Sequence, residues 1–78
     1  MNWQDVLAGT WNPETATNEM IRQSIRAWRN RQLAASDWTQ LPDVPVDATV
    51  WATYRQELRD MMQQNDDPKL IVFPEPPQ

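Results

Sequence analysis

Residues 37–47 read Asp37-Trp38-Thr39-Gln40-Leu41-Pro42-Asp43-Val44-Pro45-Val46-Asp47. Pro42 and Pro45 forbid both a continuous helix and a central strand here, so the stretch is a loop. Both flanking segments have helical periodicity. Upstream, Ile21, Ile25 and Trp28 recur at spacings of four and three, and Gln32 and Ala35 continue the stripe. Asn12 is placed to cap this helix, with Pro13 at its first position, which predicts a span of about 13–36. Ser36 and Asp37 close it. Downstream, Asp47 is the expected cap of a second helix over about 48–64. Val46 before the cap and Trp51 four positions beyond it form the pair required for a hydrophobic staple. Trp51, Tyr54, Leu58, Met61 and Met62 share one face of that helix, and Trp28, Trp51, Tyr54 and Leu58 are the expected core. The simplest arrangement is mainly α: an antiparallel helix–loop–helix hairpin over 13–64.

An apolar arm is expected at each end. Residues 1–12 hold Trp3, Val6, Leu7 and Trp11 around the only glycine, Gly9, and are read as an extended arm with a turn at Ala8-Gly9. Residues 65–78 open with Asn65-Asp66-Asp67-Pro68, a turn signal. Lys69-Leu70-Ile71-Val72-Phe73 then reads as extended, and Pro74-Glu75-Pro76-Pro77-Gln78 as polyproline II or coil. Each helix offers about four core-facing side chains, worth ~1.5–3 kcal/mol apiece when buried, against ~1–2 kcal/mol of backbone entropy per ordered residue. The hairpin therefore needs its arms, its loop tryptophan or a second protein.

The chain has 78 residues, enough for one small domain, and contains neither cysteine nor histidine. Disulfides and zinc–thiolate sites are excluded, and so is the side chain that normally titrates near neutral pH. Carboxylates and hydroxyls alone remain for catalysis, so no enzyme, cofactor or metal is expected. Asp66 and Asp67 read as a solvated turn. A net charge of −4 argues against nucleic acid as a partner. Apolar runs fall far short of the ~20 residues needed to cross a bilayer, so no membrane partner is expected. Met1-Asn2-Trp3-Gln4-Asp5 lacks a basic n-region, which points to no signal peptide and to the cytoplasm of the synthesising cell. Arg22, Arg26 and Arg29 form a row of like charges on the first helix. Residues 40–78, with seven acids against three bases, are expected to attract it.

Two blocks in order carry a family resemblance. The first is Arg29-Asn30-Arg31-Gln32-Leu33-Ala34-Ala35-Ser36-Asp37-Trp38-Thr39-Gln40-Leu41-Pro42-Asp43. The second is Trp51-Ala52-Thr53-Tyr54-Arg55-Gln56-Glu57-Leu58-Arg59-Asp60, and a proline-ended apolar tail follows. Over about residues 22–77 the chain resembles the bacteriophage tail assembly chaperone family, and its latter half resembles the C-terminal region of tail fibre assembly proteins. It departs from the family pattern at Ala34, where a second leucine is usual, at Phe73, where tryptophan is more usual, and at Pro76 directly before Pro77. The resemblance implies a non-enzymatic phage protein that binds a tail or tail-fibre protein in the host cytoplasm. The alternatives are a permanent adaptor or clamp in the virion tail and, from another class, a small acidic regulator of a host protein.

The candidate partner-binding residues are Trp3, Trp11, Trp38, Arg55, Arg59, Leu70, Val72, Phe73 and Pro74. Trp38 either folds back over the hairpin or anchors a partner. Arg55 and Arg59 either bridge to carboxylates such as Asp37, Asp43 or Asp60, or recognise a fibre protein. Leu70 to Phe73 either lies across the hairpin or adds a strand to another chain, and oligomerisation through the arms is open.

Overall fold

The computed structural model describes residues 2–7 and 12–77. Its helices are α1 (Trp3–Leu7), α2 (Asn18–Ser36) and α3 (Ala48–Asp60), with short 3-10 turns at Asp37–Gln40, Met61–Gln63 and Pro68–Leu70. There is no strand among the described residues. The fold is the expected one: two long helices joined by a loop and returning on each other.

The start of α2 differs from the sequence expectation. Asn12 does cap, but it caps a single turn: its side chain accepts from the Glu14 N–H and its carbonyl from the Thr15 and Ala16 N–H groups. The helix proper begins five residues later. Thr17 is extended and its hydroxyl accepts from the Met20 N–H at 3.2 Å, while Met20 Sδ accepts from the Thr17 N–H. A hydroxyl on a β-branched residue satisfies an orphan amide without adopting helical geometry itself, so Thr17 wins the cap. Asp47 caps α3 as expected, accepting from the Thr49 and Val50 N–H groups. The second helix tightens into a 3-10 turn over Met61–Gln63 rather than running on as α-helix. Asp43 turns the loop with φ at +67°, a left-handed conformation that an aspartate tolerates better than most residues.

The N-terminal arm is also corrected. Residues 3–7 form α1, not extended chain. Asn2 and Asp5 cap reciprocally: Asn2 Oδ1 accepts from the Gln4 N–H and Asp5 Oδ2 from the Asn2 N–H. Trp3, Val6 and Leu7 stand at helical spacing and face the core, with Leu7 fully buried. The expected turn at Ala8-Gly9 and the side chain of Trp11 lie outside the described residues.

The molecule measures 46 × 24 × 17 Å, which leaves room for a seam between helices rather than a thick interior. Ile21, Ile25 and Trp28 from α2 meet Tyr54 and Leu58 from α3, and Met61 beyond it. Leu7 covers one end. The C-terminal segment covers the side, contributing Ile71 and Phe73. Trp28 and Phe73 meet edge to face with centroids 4.9 Å apart. Trp51 is only partly buried and packs at the margin of this cluster, so the full-core role expected of it is not realised.

Candidate interaction surface

The two sequence blocks meet in space at the end of the hairpin. The Arg55 side chain is 10% exposed and donates three hydrogen bonds of 2.7 Å: to the Leu33 carbonyl, to Ser36 Oγ and to Asp37 Oδ1. The Leu33 carbonyl is among those a helix leaves unsatisfied at its C-terminus, because the Asp37 N–H bonds to Ala34 instead. A fixed cation there also complements the negative end of the α2 dipole. Ser36 donates back to Gln32 and Leu33, and the buried Thr39 hydroxyl donates to the Ser36 carbonyl at 2.6 Å. Gln40 donates to the Ala48 carbonyl, tying the loop to the start of α3.

This clasp leaves the two large hydrophobic side chains of the loop block in solvent. Trp38 is 45% exposed and Leu41 59%. Trp38 leans on Trp51, with centroids 6.3 Å apart, and Trp51 in turn meets Tyr54 edge to face. Trp38 therefore folds back against Trp51 and keeps one face in solvent. Val50, on the first turn of α3, is exposed beside them. A cleft of about 500 Å³ lies against this end, lined by Pro45, Val46, Asp47, Val50, Trp51 and Pro77. Val46 and Trp51, the expected staple pair, thus share one cleft. A second, of about 360 Å³, shares Val50 and Pro77 and adds Thr53, Tyr54, Glu57 and Glu75.

The remaining candidates divide between taken and open. Phe73 is buried on Trp28, and Pro74 is half-buried beside it. Trp3 is partly buried, with the Lys69 ammonium 5.3 Å from its ring. Leu70 and Val72 alternate with the buried Ile71 and Phe73 and are well exposed. The Gln64 side-chain amide holds both backbone groups of Val72, accepting from its N–H and donating to its carbonyl, each at 2.9 Å. Leu70 to Phe73 therefore lies across the hairpin with one row of side chains in and one out. Arg59 is exposed near the end of α3.

The arginine row on α2 does not meet the acidic half as expected. Arg55–Asp37 is the one ion pair among the described residues, and Arg22 donates to the Asp66 carbonyl rather than to a carboxylate. Arg26 and Arg31 project into solvent, where hydration replaces an ion pair at little cost.

Residues 22–78 match the model of the phage tail assembly chaperone protein family. The chain belongs to that family. The match takes in the Arg55 clasp, the Trp38 platform and the whole C-terminal segment, and leaves α1 and the first turn of α2 outside it. No curated protein and no solved structure matches the chain. Membership assigns this chaperone-family chain a role in phage tail assembly. No helix among the described residues is long and apolar enough to cross a membrane, and no group of residues there is arranged to hold a metal ion.

Tyr54 gives the site a spectroscopic handle, being the only tyrosine of the chain. Burial pushes its phenol above the ordinary value of 10.0. Titration followed at 295 nm is expected to show a native midpoint above 10, returning to about 10 in denaturant. The sign follows: the folded pKa lies above the unfolded one, so Tyr54's contribution is intact below pH 10 and is lost as pH rises through the folded value. Tyr54→Phe is expected to flatten this alkaline loss of stability. A native midpoint at or below 10 would show the ring to be solvated.

Proposed function

We propose that this chaperone-family protein acts without catalysis, by binding a phage tail or tail-fibre protein during assembly. The observation that carries the reading is the pairing of the family match with large apolar side chains left in solvent: Trp38, Leu41 and Val50 at the hairpin end, Leu70 and Val72 along the C-terminal segment. A chain with so little interior gains stability by burying such groups, and a partner surface is where they go. Trp38, Arg59, Leu70 and Val72 are the contact residues in this reading. Trp3, Arg55, Phe73 and Pro74 act behind them, holding the presenting segments in place. Trp11 stays a contact candidate by its sequence.

Co-expression with each tail and fibre protein of the phage, followed by size-exclusion chromatography, tests the reading. One of those proteins is expected to co-elute with the chain and to be less soluble without it. If none co-elutes, the reading fails. Mass spectrometry of purified virions then separates a helper from a resident: stoichiometric presence in particles would identify a permanent tail component.

A further inference from the structure

We infer that the hairpin end is the partner-binding surface, and that its occupant is a segment of the tail or fibre protein carrying an apolar anchor flanked by lysine or arginine. The inference rests on the functional reading above and gives it a place and a chemistry.

The argument starts from what each residue of Asp37-Trp38-Thr39-Gln40-Leu41-Pro42-Asp43 is used for inside the chain. Asp37 pairs with Arg55, Thr39 is buried on the Ser36 carbonyl, and Gln40 ties to Ala48. Pro42 and Asp43 turn the chain, Asp43 with positive φ. Trp38 and Leu41 are left. Trp38 spends one side on Trp51, yet it remains 45% exposed and Leu41 59%, two large apolar groups on one pinned loop. A rigid loop that holds out one large aromatic and one branched aliphatic side chain loses little entropy when they are covered. Trp51 supports one side of Trp38, and the cleft lined by Val50 and Trp51 has the volume for an incoming apolar side chain.

Charge selects the occupant. From Asp37 to Tyr54 the sequence has three aspartates and no lysine or arginine. Asp37 shares its charge with Arg55; Asp43 is exposed on the loop, Asp47 lines the first cleft, and Glu57 and Glu75 line the adjoining one. An apolar centre with an acidic rim favours a partner segment whose anchor is bordered by cations, and it disfavours a second copy's identical end, which would bring like charges together.

The test uses the full chain and the tail or fibre protein recovered by co-expression, with affinity measured by calorimetry. Trp38→Ser is expected to weaken binding ~30-fold or more, as an anchor at an interface centre does. Leu41→Ser, which removes only an exposed side chain, is expected to cost ~10-fold with the thermal melt unchanged, so loss of fold is not the cause. Asp43→Asn keeps the turn and removes the charge; it is expected to reduce the salt dependence of binding and slow association. Val72→Ser, at a contact away from the hairpin end, is expected to weaken binding by less than Leu41→Ser does. Full affinity in both Trp38→Ser and Leu41→Ser, with loss in Val72→Ser, would overturn the inference while the functional reading stands. A wild-type chain that dimerises alone and returns to monomer on Leu41→Ser would overturn it in favour of self-association. Failure of wild type to bind any tail or fibre protein would overturn both.

Discussion

Trp28→Ala is expected to remove ~3–5 kcal/mol of stability, the cost of a large cavity lined by groups that cannot collapse onto it. A 78-residue domain has roughly 4–12 kcal/mol in total, so the variant is left barely folded. Trp28 is expensive to lose because its large ring joins α2 to the C-terminal segment from within the core. Its ring is buried between α2 and the C-terminal segment, where Phe73 meets it edge to face at 4.9 Å. Removing it strips the tail's main anchor and opens the seam beside Ile25 in one step. The measurement is a thermal melt by circular dichroism, with a fall of at least ~12 °C expected for a chain of this size. Phe73→Ala is expected to act in the same direction, and the Trp28–Phe73 double-mutant cycle to return a coupling of ~0.5–1.5 kcal/mol. A Trp28→Ala melt within a few degrees of wild type would show that the tail is not held by this contact.

Arg55→Met is expected to cost ~2–4 kcal/mol, although it preserves most of the side chain's volume. Hydrogen bonds to charged groups contribute ~1.5–3 kcal/mol each net of exchange with water, and bonds that share one side chain are not additive. Arg55 makes three, two of them to the C-terminal turn of α2 and one to the residue that follows it. Methionine fills the space but leaves the Leu33 carbonyl and Ser36 hydroxyl in a site where water must follow them. Asp37 is 68% exposed and stays hydrated, so the ion pair itself accounts for the smaller share. Asp37→Asn is therefore expected to cost ~1 kcal/mol, less than Arg55→Met. Arg55→Lys recovers little, since a single ammonium cannot span acceptors that the planar guanidinium reaches together. Urea unfolding of the three variants gives the order directly. If Asp37→Asn proves as damaging as Arg55→Met, the charge pair and not the helix-end hydrogen bonding holds the loop.

Both predictions concern residues with different visibility in the sequence. Trp28 stands in a stripe with Ile21 and Ile25, so its core role follows from helical spacing alone. Arg55 is legible only as a choice between a bridge to Asp37, Asp43 or Asp60 and a partner contact. Sequence spacing does not say which side of α3 meets the end of α2, and that decides whether the guanidinium finds the Leu33 carbonyl or solvent. Trp51 shows the same gap from the other side. It sits at helical spacing with Tyr54 and Leu58, yet the stripe runs past the edge of the seam and leaves it half covered. The α1 signal was present and local: Asn2 and Asp5 three apart, with Trp3, Val6 and Leu7 at helical spacing behind them. So short a helix has no stability of its own, and only docking on the core holds it.

Local chemistry written in the sequence determined the loop at Pro42 and Pro45, the cap at Asp47, the two long helices and the absence of cysteine and histidine chemistry. Those features depend on neighbours a few residues away, and no distant contact alters a proline's missing N–H or an aspartate's reach to the next turn. The tertiary structure decided which apolar residues became interior. Phe73 went in and Val72 stayed out because an extended segment crossing a helix can bury only one of its two faces. Trp38 stayed half out because its loop is pinned through Arg55, Thr39 and Gln40, which leaves the ring no further inward path than the edge of Trp51.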